Sequence, residues 1–345
     1  MTPRLVNTGM MTKMNESTVA EDVLANLAQN ALEQWELRIV TVKHHSQREN
    51  TIYKVEDDRG QVYALRIHRA GYHDLQALES EHMWTAALAD AGLSVPQAVD
   101  TRDGKAYATV KLPGTDQFRH VGLVKWIDGI TLAQYMEQES GSVETAAVYG
   151  ELGQLIADFH LATAGWSAPG NFKRHAWDAQ GLMGAQPFWG RFWEIDAGSD
   201  EQRAALLVIR NRLFEFLTSL ATGDAYGMIH ADLNADNVLR SGNTLSVIDF
   251  DDAGFGWHAF DLAVAIHDQL DEITGQAHYD QHYDALMEGY RRRRPDCAHI
   301  VENVPLFVAV RSLTLLRWMQ DRPEAGYTEM IPYLLELALD QAKSV

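Results

Sequence analysis

The hydrophobic pattern of the chain changes its period near residue 128, and this change limits the possible folds more than any other feature. Before it, apolar and polar residues alternate in short segments, which is the pattern of half-buried β-strands. These segments cover residues 37–42, 51–55, 62–67 and 120–127, and one helical segment covers 73–91. After residue 128 the apolar residues recur at helical spacing, in segments that include residues 276–293 and 298–320. The pattern predicts an α+β fold, with a small antiparallel sheet followed by a mainly helical part.

The same change of period divides the chain into two lobes. We place the boundary at Asp128, so that residues 16–127 form an N-terminal lobe and residues 128–345 form a helical C-terminal lobe. A chain of 345 residues is long enough for each lobe to bury a core of its own. Residues 1–15 show no periodicity, and we expect them to be disordered.

The composition excludes several classes of protein. The chain has 29 lysines and arginines against 48 acidic residues, a formal charge of −19, and such a surface repels nucleic-acid phosphates. Cys297 is the only cysteine, which excludes a disulfide framework and a cysteine-based zinc site. The sequence contains no uninterrupted apolar run of about 20 residues, so we expect no membrane span. Residues 1–13 do not read as a secretory signal, and the predicted location is the cytoplasm.

The stretch from residue 228 to residue 252 carries the clearest chemistry. Two short apolar strands there hold three oxygen-bearing side chains at fixed spacing, Asp232, Asn237 and Asp249. A carboxylate and an amide oxygen are hard ligands that suit Mg²⁺, which binds few protein oxygens together with phosphate and water. A second carboxylate nearby could orient a hydroxyl group and accept its proton. Phosphoryl transfer needs both a metal ion bound to the phosphates and a base at the attacking hydroxyl. The alternative is a pair of strand-end acids that cap helices or turns.

This stretch resembles the active-site segments of a known family. The segment from His230 to Asn237, of the form H-x-D-x-x-x-x-N, looks like the catalytic loop of kinases. Ile248-Asp249-Phe250 looks like their metal-binding segment, and Phe260-Asp261-Leu262-Ala263 follows it. In this form the motifs resemble those of the aminoglycoside phosphotransferase and choline/homoserine kinase-like family. The resemblance covers residues 37 to about 271.

The resemblance implies a protein-kinase-like two-lobed fold, with ATP bound between the lobes and Mg²⁺ as the metal ion. Asp232 would be the catalytic base, and Asn237 and Asp249 would bind the metal. Asp261 and His230 would brace the catalytic loop from inside. The N-terminal lobe would bind the nucleotide, and the C-terminal lobe would hold the acceptor.

The resemblance also assigns residues to the nucleotide phosphates. The loop between the first two strands would cover the phosphates, and its candidate contacts are Ser46, Asn50 and Thr51. This loop has no glycine, so taken alone it is equally well a solvated hairpin. Arg66 stands where the family's third strand has a lysine, and a guanidinium can also neutralise phosphate. Its helix partner would be Glu81, and the alternative is that the two form an ordinary surface pair.

The segment from Leu123 to Gly129 looks like the family's hinge, where a strand end offers backbone groups to the edge of an adenine. By resemblance these are the backbone groups of Lys125 and Ile127. The identity of either side chain would then matter little, because only main-chain atoms contact the base.

The acceptor is predicted from charge. Residues 224–272 hold ten acidic side chains against one basic side chain, which is about half of the net charge of the chain. A cleft of one sign concentrates its counter-ion, so a cationic, amine-bearing acceptor is expected. Asp268, Asp271 and Glu272 are candidates for amine contacts, and solvated helix acids are the alternative. The four tryptophans of residues 164–199 could wall the pocket or simply pack an irregular segment.

The predicted function is ATP- and Mg²⁺-dependent transfer of the γ-phosphoryl group to a hydroxyl of a small amine-bearing molecule, an amino alcohol or a homoserine-like compound. One alternative is an antibiotic-inactivating kinase of the aminoglycoside type, and another is a stress-type protein kinase acting on Ser or Thr. An inactive nucleotide-binding module is the last alternative. Arg66 and the glycine-free loop favour it, whereas the complete set of Asp232, Asn237 and Asp249 opposes it.

Overall fold

The computed structural model describes residues 19, 21–47, 50–138, 145–270 and 276–344. The chain divides into two compact units. The first contains the chain up to residue 73 together with residues 100–123, and the second contains residues 74–99 and everything from residue 124 onward. The segment predicted to be disordered, residues 1–15, lies outside the described residues.

The first unit is built on a five-stranded sheet with the strand order β1-β2-β3-β5-β4. Its strands are β1 (Ile39–Gln47), β2 (Thr51–Asp57), β3 (Val62–Ile67), β4 (Tyr107–Lys111) and β5 (Phe118–Lys125), preceded by helix α1 (Glu21–Leu32). Burial alternates along β2 and β3, as the sequence pattern predicts, because successive side chains of a strand point to opposite faces. The last two residues of β5 belong to the second unit.

The second unit is mainly helical. Its helices are α2 (Leu75–Asp90), α3 (Leu132–Gln138), α4 (Thr145–Ala164), α5 (Ala179–Met183), α6 (Asp200–Ser219), α7 (His258–His267), α8 (Gln276–Arg293), α9 (Ala298–Val301), α10 (Val304–Asp321) and α11 (Ile331–Gln341). Helix α7 is buried along its whole length and contacts α10, α8 and α4. The centre of the unit is therefore the helix that carries Asp261.

Two small sheets lie in the second unit. One has the order β10-β9-β6 and the other has the order β7-β11-β8. Their strands are β6 (Ile130–Thr131), β7 (Ala176–Trp177), β8 (Tyr226–Ile229), β9 (Val238–Ser241), β10 (Thr244–Val247) and β11 (Gly254–Trp257). The chain between β8 and β9 is the predicted catalytic loop, and Asp249 follows β10. These short strands therefore determine where the predicted site residues lie.

Helices α4 and α8 approach each other closely through glycines. A Cβ atom on Gly153 of α4 would overlap the carbonyl oxygen of Leu286, and one on Gly289 of α8 would overlap the carbonyl oxygen of Gly150. A Cβ atom on Gly150 itself would make only an ordinary contact, 3.6 Å from the Ala285 carbonyl oxygen. The two helices therefore pack backbone against backbone at Gly153 and Gly289.

The stretch Ala298–Asp321 is long and apolar enough to cross a membrane by length and composition, but 72% of its most apolar window is buried inside the protein. Such burial is typical of a core helix. The sequence pattern predicts one helix here, whereas the structure has two, α9 and α10. Pro305 lies in the first turn of α10, where its missing N–H leaves no helical hydrogen bond unmade.

The prediction of an α+β fold with a small antiparallel sheet and a large helical part is confirmed. The two compact units follow a different division from the predicted lobes, because residues 74–99 group with the helical unit. Helix α2 contacts α4, and its Ser80 side chain accepts a hydrogen bond from the Lys173 N–H. The boundary of the lobes at residues 127 and 128 stays a prediction.

Candidate active site

The predicted catalytic loop is held from beneath by Asp261 of α7. One carboxylate oxygen of Asp261 accepts a hydrogen bond from the His230 N–H at 3.1 Å, and the other accepts from the Ala231 N–H at 2.6 Å. Ala231 has a left-handed backbone with φ 63°, which is uncommon for a residue other than glycine. The side chain of Asp261 is fully buried. Its two hydrogen bonds offset the strain at Ala231 and direct the following residue, Asp232, out of the core.

Both carboxylate oxygens of Asp232 are occupied by partners in its own unit. Oδ1 accepts a hydrogen bond from Nη2 of Arg311 at 2.7 Å, and Oδ2 accepts one from Nδ2 of Asn237 at 2.8 Å. Burial raises the pKa of Asp232, and the guanidinium of Arg311 acts in the opposite direction. The Asp232 side chain is 25% exposed, so a small molecule can still reach it. This carboxylate is thus oriented, partly desolvated and accessible, as a base must be.

Asn237 and Asp249 lie at the open end of one hairpin. Strands β9 and β10 pair Val238 with Val247, and the next hydrogen bond joins the Ile248 N–H to the Asn237 carbonyl at 2.9 Å. Asp249 follows immediately with a left-handed backbone, φ 64°, and an exposed side chain. The hairpin thus brings together the two predicted metal ligands.

The oxygen ligands of Asn237 and Asp249 fit a magnesium ion that is bound together with the phosphates of a nucleotide. Nδ2 of Asn237 also donates to the Asp232 carbonyl, so the amide is oriented with its nitrogen toward Asp232 and its oxygen on the other side. Among the described residues no group of three or more His, Cys, Asp or Glu side chains could form a self-contained metal site. One amide oxygen and one carboxylate leave several coordination positions for phosphate and water, as Mg²⁺ requires.

A buried polar network lies behind Asp261, and sequence reasoning did not predict it. His160 of α4 contacts Oδ2 of Asp261 through Nε2 at 3.1 Å and the Tyr290 hydroxyl through Nδ1 at 2.9 Å. Arg294 extends the network to His258 and Asp224. Burial lowers the pKa of His160 well below its usual value, and the nearby Arg294 acts in the same direction. His160 is therefore neutral and serves as an internal hydrogen-bond partner.

Glu81 has a partner that the sequence did not suggest. Its carboxylate lies 3.5 Å from Nη1 of Arg174, and both side chains are buried. The same guanidinium donates to the carbonyls of Phe250, Asp251 and Ala253. Arg174 therefore connects α2 to the segment that follows Asp249. The predicted pair of Glu81 with Arg66 stays a prediction.

The predicted phosphate contacts lie near one end of the sheet in the first unit. Ser46 pairs with Ile52, and Ile52 pairs with Arg66 on the next strand. Thr51 is buried and pairs with Ile67, and the Asn50 side chain accepts a hydrogen bond from the Arg69 N–H. The structure thus brings Ser46, Thr51 and Arg66 to adjacent strands. Residues 48 and 49 of the predicted phosphate loop lie outside the described residues.

The predicted hinge lies at the end of β5. The Lys125 N–H donates to the Gln97 carbonyl at 2.8 Å, and its side chain donates to Oε1 of the same residue. A contact of Lys125 with an adenine would therefore use its carbonyl oxygen. Ile127 is half-buried just beyond the strand. Gly129 follows, and a Cβ atom there would lie 2.8 Å from the Arg240 carbonyl oxygen, so this close approach requires glycine.

The acidic stretch is less acidic in space than in sequence, because cations or hydrogen-bond donors from elsewhere in the chain bind several of its carboxylates. Asp224 pairs with Arg294, and Asp232 pairs with Arg311. Asp261 accepts from two backbone N–H groups and contacts His160. Asp268 has a side chain that is 57% exposed and close enough to Asp232 to raise its pKa. Of the three predicted amine contacts it is the one within the described residues, because Asp271 and Glu272 lie outside them.

The tryptophans of residues 164–199 are mainly packing residues. Trp177 and Trp189 are buried, with ring centres 5.1 Å apart. The indole nitrogen of Trp177 donates to the Asp252 carbonyl at 2.7 Å, which supports the segment after Asp249. Trp189 instead lies against Arg311, whose guanidinium carbon is 4.9 Å from the centre of the indole ring. Two tryptophans of this segment therefore contact residues of the predicted site or their immediate neighbours: Trp177 binds the Asp252 carbonyl, and Trp189 packs on Arg311.

The comparison of the sequence with known proteins agrees with this geometry. Residues 41–295 match the phosphotransferase enzyme family. A homoserine kinase of Sinorhizobium medicae is 28% identical over 270 residues, which cover 74% of this chain and 73% of that protein. A homoserine kinase of Pseudomonas aeruginosa is 27% identical over 313 residues, covering 86% and 87%.

Solved structures give the same result. A microcompartment-associated aminopropanol kinase has a TM-score of 0.74 and 30% sequence identity, covering 92% of this chain and 95% of that chain. An amicoumacin kinase in complex with AMP-PNP and Ca²⁺ has a TM-score of 0.76 at 17% identity, covering 94% and 95%, and at that identity it shows the fold alone. The predictions of a protein-kinase-like fold and of a kinase that acts on hydroxyl groups are confirmed. With a family match over most of its length and a close structural neighbour, the chain belongs to the phosphotransferase enzyme family.

Proposed function

We propose that the protein transfers the γ-phosphoryl group of ATP, in the presence of Mg²⁺, to a hydroxyl group of a small amine-bearing molecule. The observation that carries this proposal is the grouping of Asp232, Asn237 and Asp249. One loop and one hairpin hold the three, and the Asn237 amide has its nitrogen toward Asp232 and its oxygen on the other side. The enzyme would be soluble and cytoplasmic.

In this mechanism Asp232 acts on the acceptor. Its carboxylate orients the acceptor hydroxyl and takes its proton as the oxygen attacks the γ-phosphorus and the bond to ADP breaks. Asn237 and Asp249 would hold Mg²⁺, which neutralises charge on the phosphates when bound. Arg66 would contribute further positive charge, with Glu81 as its predicted partner. Ser46, Asn50 and Thr51 would contact phosphate oxygens, and the backbone groups of Lys125 and Ile127 would contact the adenine.

Two observations support an amine-bearing acceptor. The relatives named above as homoserine kinases and an aminopropanol kinase are named for compounds that carry both a hydroxyl and an amino group. In addition, the carboxylate of Asp268 is half-exposed and lies in the electrostatic range of Asp232. An ammonium group placed there would be attracted by both carboxylates. The acceptor class is therefore an amino alcohol or a hydroxy amino acid.

A screen of ATP consumption tests the proposal. Homoserine, 1-amino-2-propanol, choline, an aminoglycoside and a mixture of added test proteins are each incubated with the enzyme, Mg²⁺ and γ-labelled ATP, and the label is traced. We expect label in one of the first two compounds. Label in the aminoglycoside would assign the protein to antibiotic inactivation, and label in added protein would assign it to the protein kinases.

An inactive nucleotide-binding module gives a different result. It would bind ATP without phosphorylating any acceptor, and a thermal-shift titration detects that binding. We expect ATP to raise the unfolding midpoint more in the presence of Mg²⁺ than in its absence. The lack of any Mg²⁺-dependent shift would contradict the proposed metal ligands.

A further inference from the structure

Arg311 is a charged residue in contact with the proposed base, and neither the motifs nor the comparisons point to it. It lies on α10, and its Nη2 donates to Oδ1 of Asp232 at 2.7 Å. The residue is only 6% exposed, although it carries a permanent charge. A buried guanidinium is costly unless it is paired. Within the described part of the chain, Arg311 forms an ion pair with the proposed base.

The position of the guanidinium is itself restrained. Its central carbon lies 4.9 Å from the centre of the Trp189 ring, within cation–π range. Trp189 is 6% exposed and packs against Trp177 and Trp318, so the indole has little freedom to move. Nη1 of Arg311 is buried and makes no hydrogen bond among the described residues. The guanidinium is therefore held both by the indole face of Trp189 and by the carboxylate of Asp232.

The contacts on Asp232 come from two parts of the chain, helix α10 and the catalytic loop itself. Arg311 binds Oδ1, and Asn237 binds Oδ2 at 2.8 Å. A carboxylate bound at one oxygen can rotate about its Cβ–Cγ bond, whereas one bound at both oxygens has its plane defined. A lysine could supply the charge of Arg311 but not its planar fork or its stacking on an indole.

We propose that Arg311 is a positioning residue, which together with Trp189 holds the carboxylate of Asp232 in the orientation needed to meet the acceptor hydroxyl. The proposal rests on the proposed role of Asp232 as the base. It also gives a function to the tryptophan-rich segment, because Trp189 acts on the base through Arg311. Neither residue touches the nucleotide or the acceptor in this mechanism.

The test compares Arg311→Lys and Arg311→Met with Arg317→Met as the matched control. Arg317 lies on the same helix and contacts Asp321 and the Glu194 carbonyl instead of Asp232. Kinetics are measured with homoserine and with 1-amino-2-propanol, of which only the first has a carboxylate. Because a misplacement of about 1 Å can cost about a hundredfold in rate, we expect kcat to fall about a hundredfold in Arg311→Met with both acceptors. KM for ATP should stay within about twofold, since the nucleotide side is unchanged.

Arg311→Lys should recover only part of the lost kcat, and Arg317→Met should keep the wild-type kcat. A different pattern would overturn the proposal. If Arg311→Met raises KM for homoserine alone and leaves kcat intact, Arg311 binds the acceptor carboxylate and does not position the base. Full recovery of kcat by lysine would mean that charge alone matters.

The contribution of Trp189 is tested in a double-mutant cycle. Trp189→Leu should lower kcat in the wild-type background and have little further effect in Arg311→Met, because it acts through Arg311. Additive losses would overturn that link. Thermal unfolding of every variant identifies losses of kcat that come from unfolding.

A structural measurement separates the failure of this proposal from the failure of the proposed function. In a crystal structure of Arg311→Met, we expect the Asp232 carboxylate to leave its wild-type orientation, whereas Arg317→Met keeps it. This result does not depend on whether an acceptor is phosphorylated. An unchanged Asp232 in Arg311→Met would contradict the positioning role even in a fully active kinase.

Discussion

Asp261 shows how much of the site depends on one buried side chain. Its two oxygens accept the N–H groups of His230 and Ala231, and it also contacts His160. Burial raises the pKa of Asp261, while His230 and the two backbone donors act in the opposite direction. A carboxylate at this place is stabilised by its hydrogen-bond partners and in turn stabilises a strained backbone.

We predict that Asp261→Asn loses both stability and activity. The amide would place an NH₂ group against one of the two backbone N–H donors, leaving that donor buried without an acceptor. The free energy of unfolding should fall by about 2–4 kcal/mol, measured by urea unfolding, and phosphoryl transfer should fall with it. Glu288→Gln is the control, because Glu288 pairs with Arg292 on the surface and should change stability by less than about 0.5 kcal/mol.

Asp232→Asn separates binding from chemistry. An amide cannot accept the acceptor proton, so we expect kcat to fall by at least about a thousandfold. ATP affinity, measured by isothermal titration with Mg²⁺, should remain largely intact because Asp232 is not a nucleotide contact. Turnover at the wild-type rate would mean that Asp232 is not the base.

At the scale of elements, the contact between α4 and α8 defines a stringent packing requirement. The backbones meet at Gly153 and Gly289, where side chains of any size would collide with carbonyl oxygens of the facing helix. Helix α4 also carries His160, which contacts Asp261. The helix packing and the support of the catalytic loop are thus coupled through α4.

Gly153→Ala and Gly150→Ala form a matched pair on one helix. Alanine at 153 would push α8 away, and we expect a loss of about 2 kcal/mol in the free energy of unfolding despite the higher helix propensity of alanine. Alanine at 150 would lie 3.6 Å from its nearest neighbour and should stabilise the protein by about 0.5 kcal/mol. Equal effects in thermal unfolding would contradict the close approach of the two helices.

Elements with a strong local pattern could be predicted from the sequence. The strands around residues 51–57 and 62–67 and the helix at 276–293 were predicted close to their observed bounds, because alternation and helical spacing are local properties. The break between α9 and α10 was missed, since the apolar pattern continues through it. The partners of the site residues were also missed. Arg174, Arg294 and Arg311 reach their acids from distant segments, and no local pattern indicates a buried arginine.

At the scale of the whole molecule, protonation of buried histidines governs the response to acid. His160, His230, His258, His267 and His282 are all buried. Burial lowers the pKa of each, and that of His230 falls to about 4. The unfolded chain therefore takes up protons on these side chains as the pH falls through about 6.5, whereas the folded chain takes them up only at lower pH.

We predict that stability falls as the pH falls from about 6.5 toward about 4. Between its pKa in the folded chain and its pKa in the unfolded chain, each such histidine lowers the free energy of unfolding by up to about 1.4 kcal/mol for each pH unit of acidification. The two acids whose pKa is raised, Asp232 and Asp261, change the free energy of unfolding in the opposite direction. Acid also protonates carboxylates and so reduces the mutual repulsion of the negative charges in a chain of charge −19. High salt screens that repulsion and removes this contribution. Urea unfolding at high salt should show the loss. A free energy of unfolding that rises on acidification would contradict it.

The pairing of Asp232 with Arg311 has a consequence for synthesis of the protein. The two residues are 79 positions apart, and the acid leaves the ribosome first. At about 5–20 residues per second, the nascent chain carries the loop for several seconds before its guanidinium partner is made. We therefore expect that polypeptides released early, at a stop codon placed before position 311, do not catalyse transfer even though every motif residue is present.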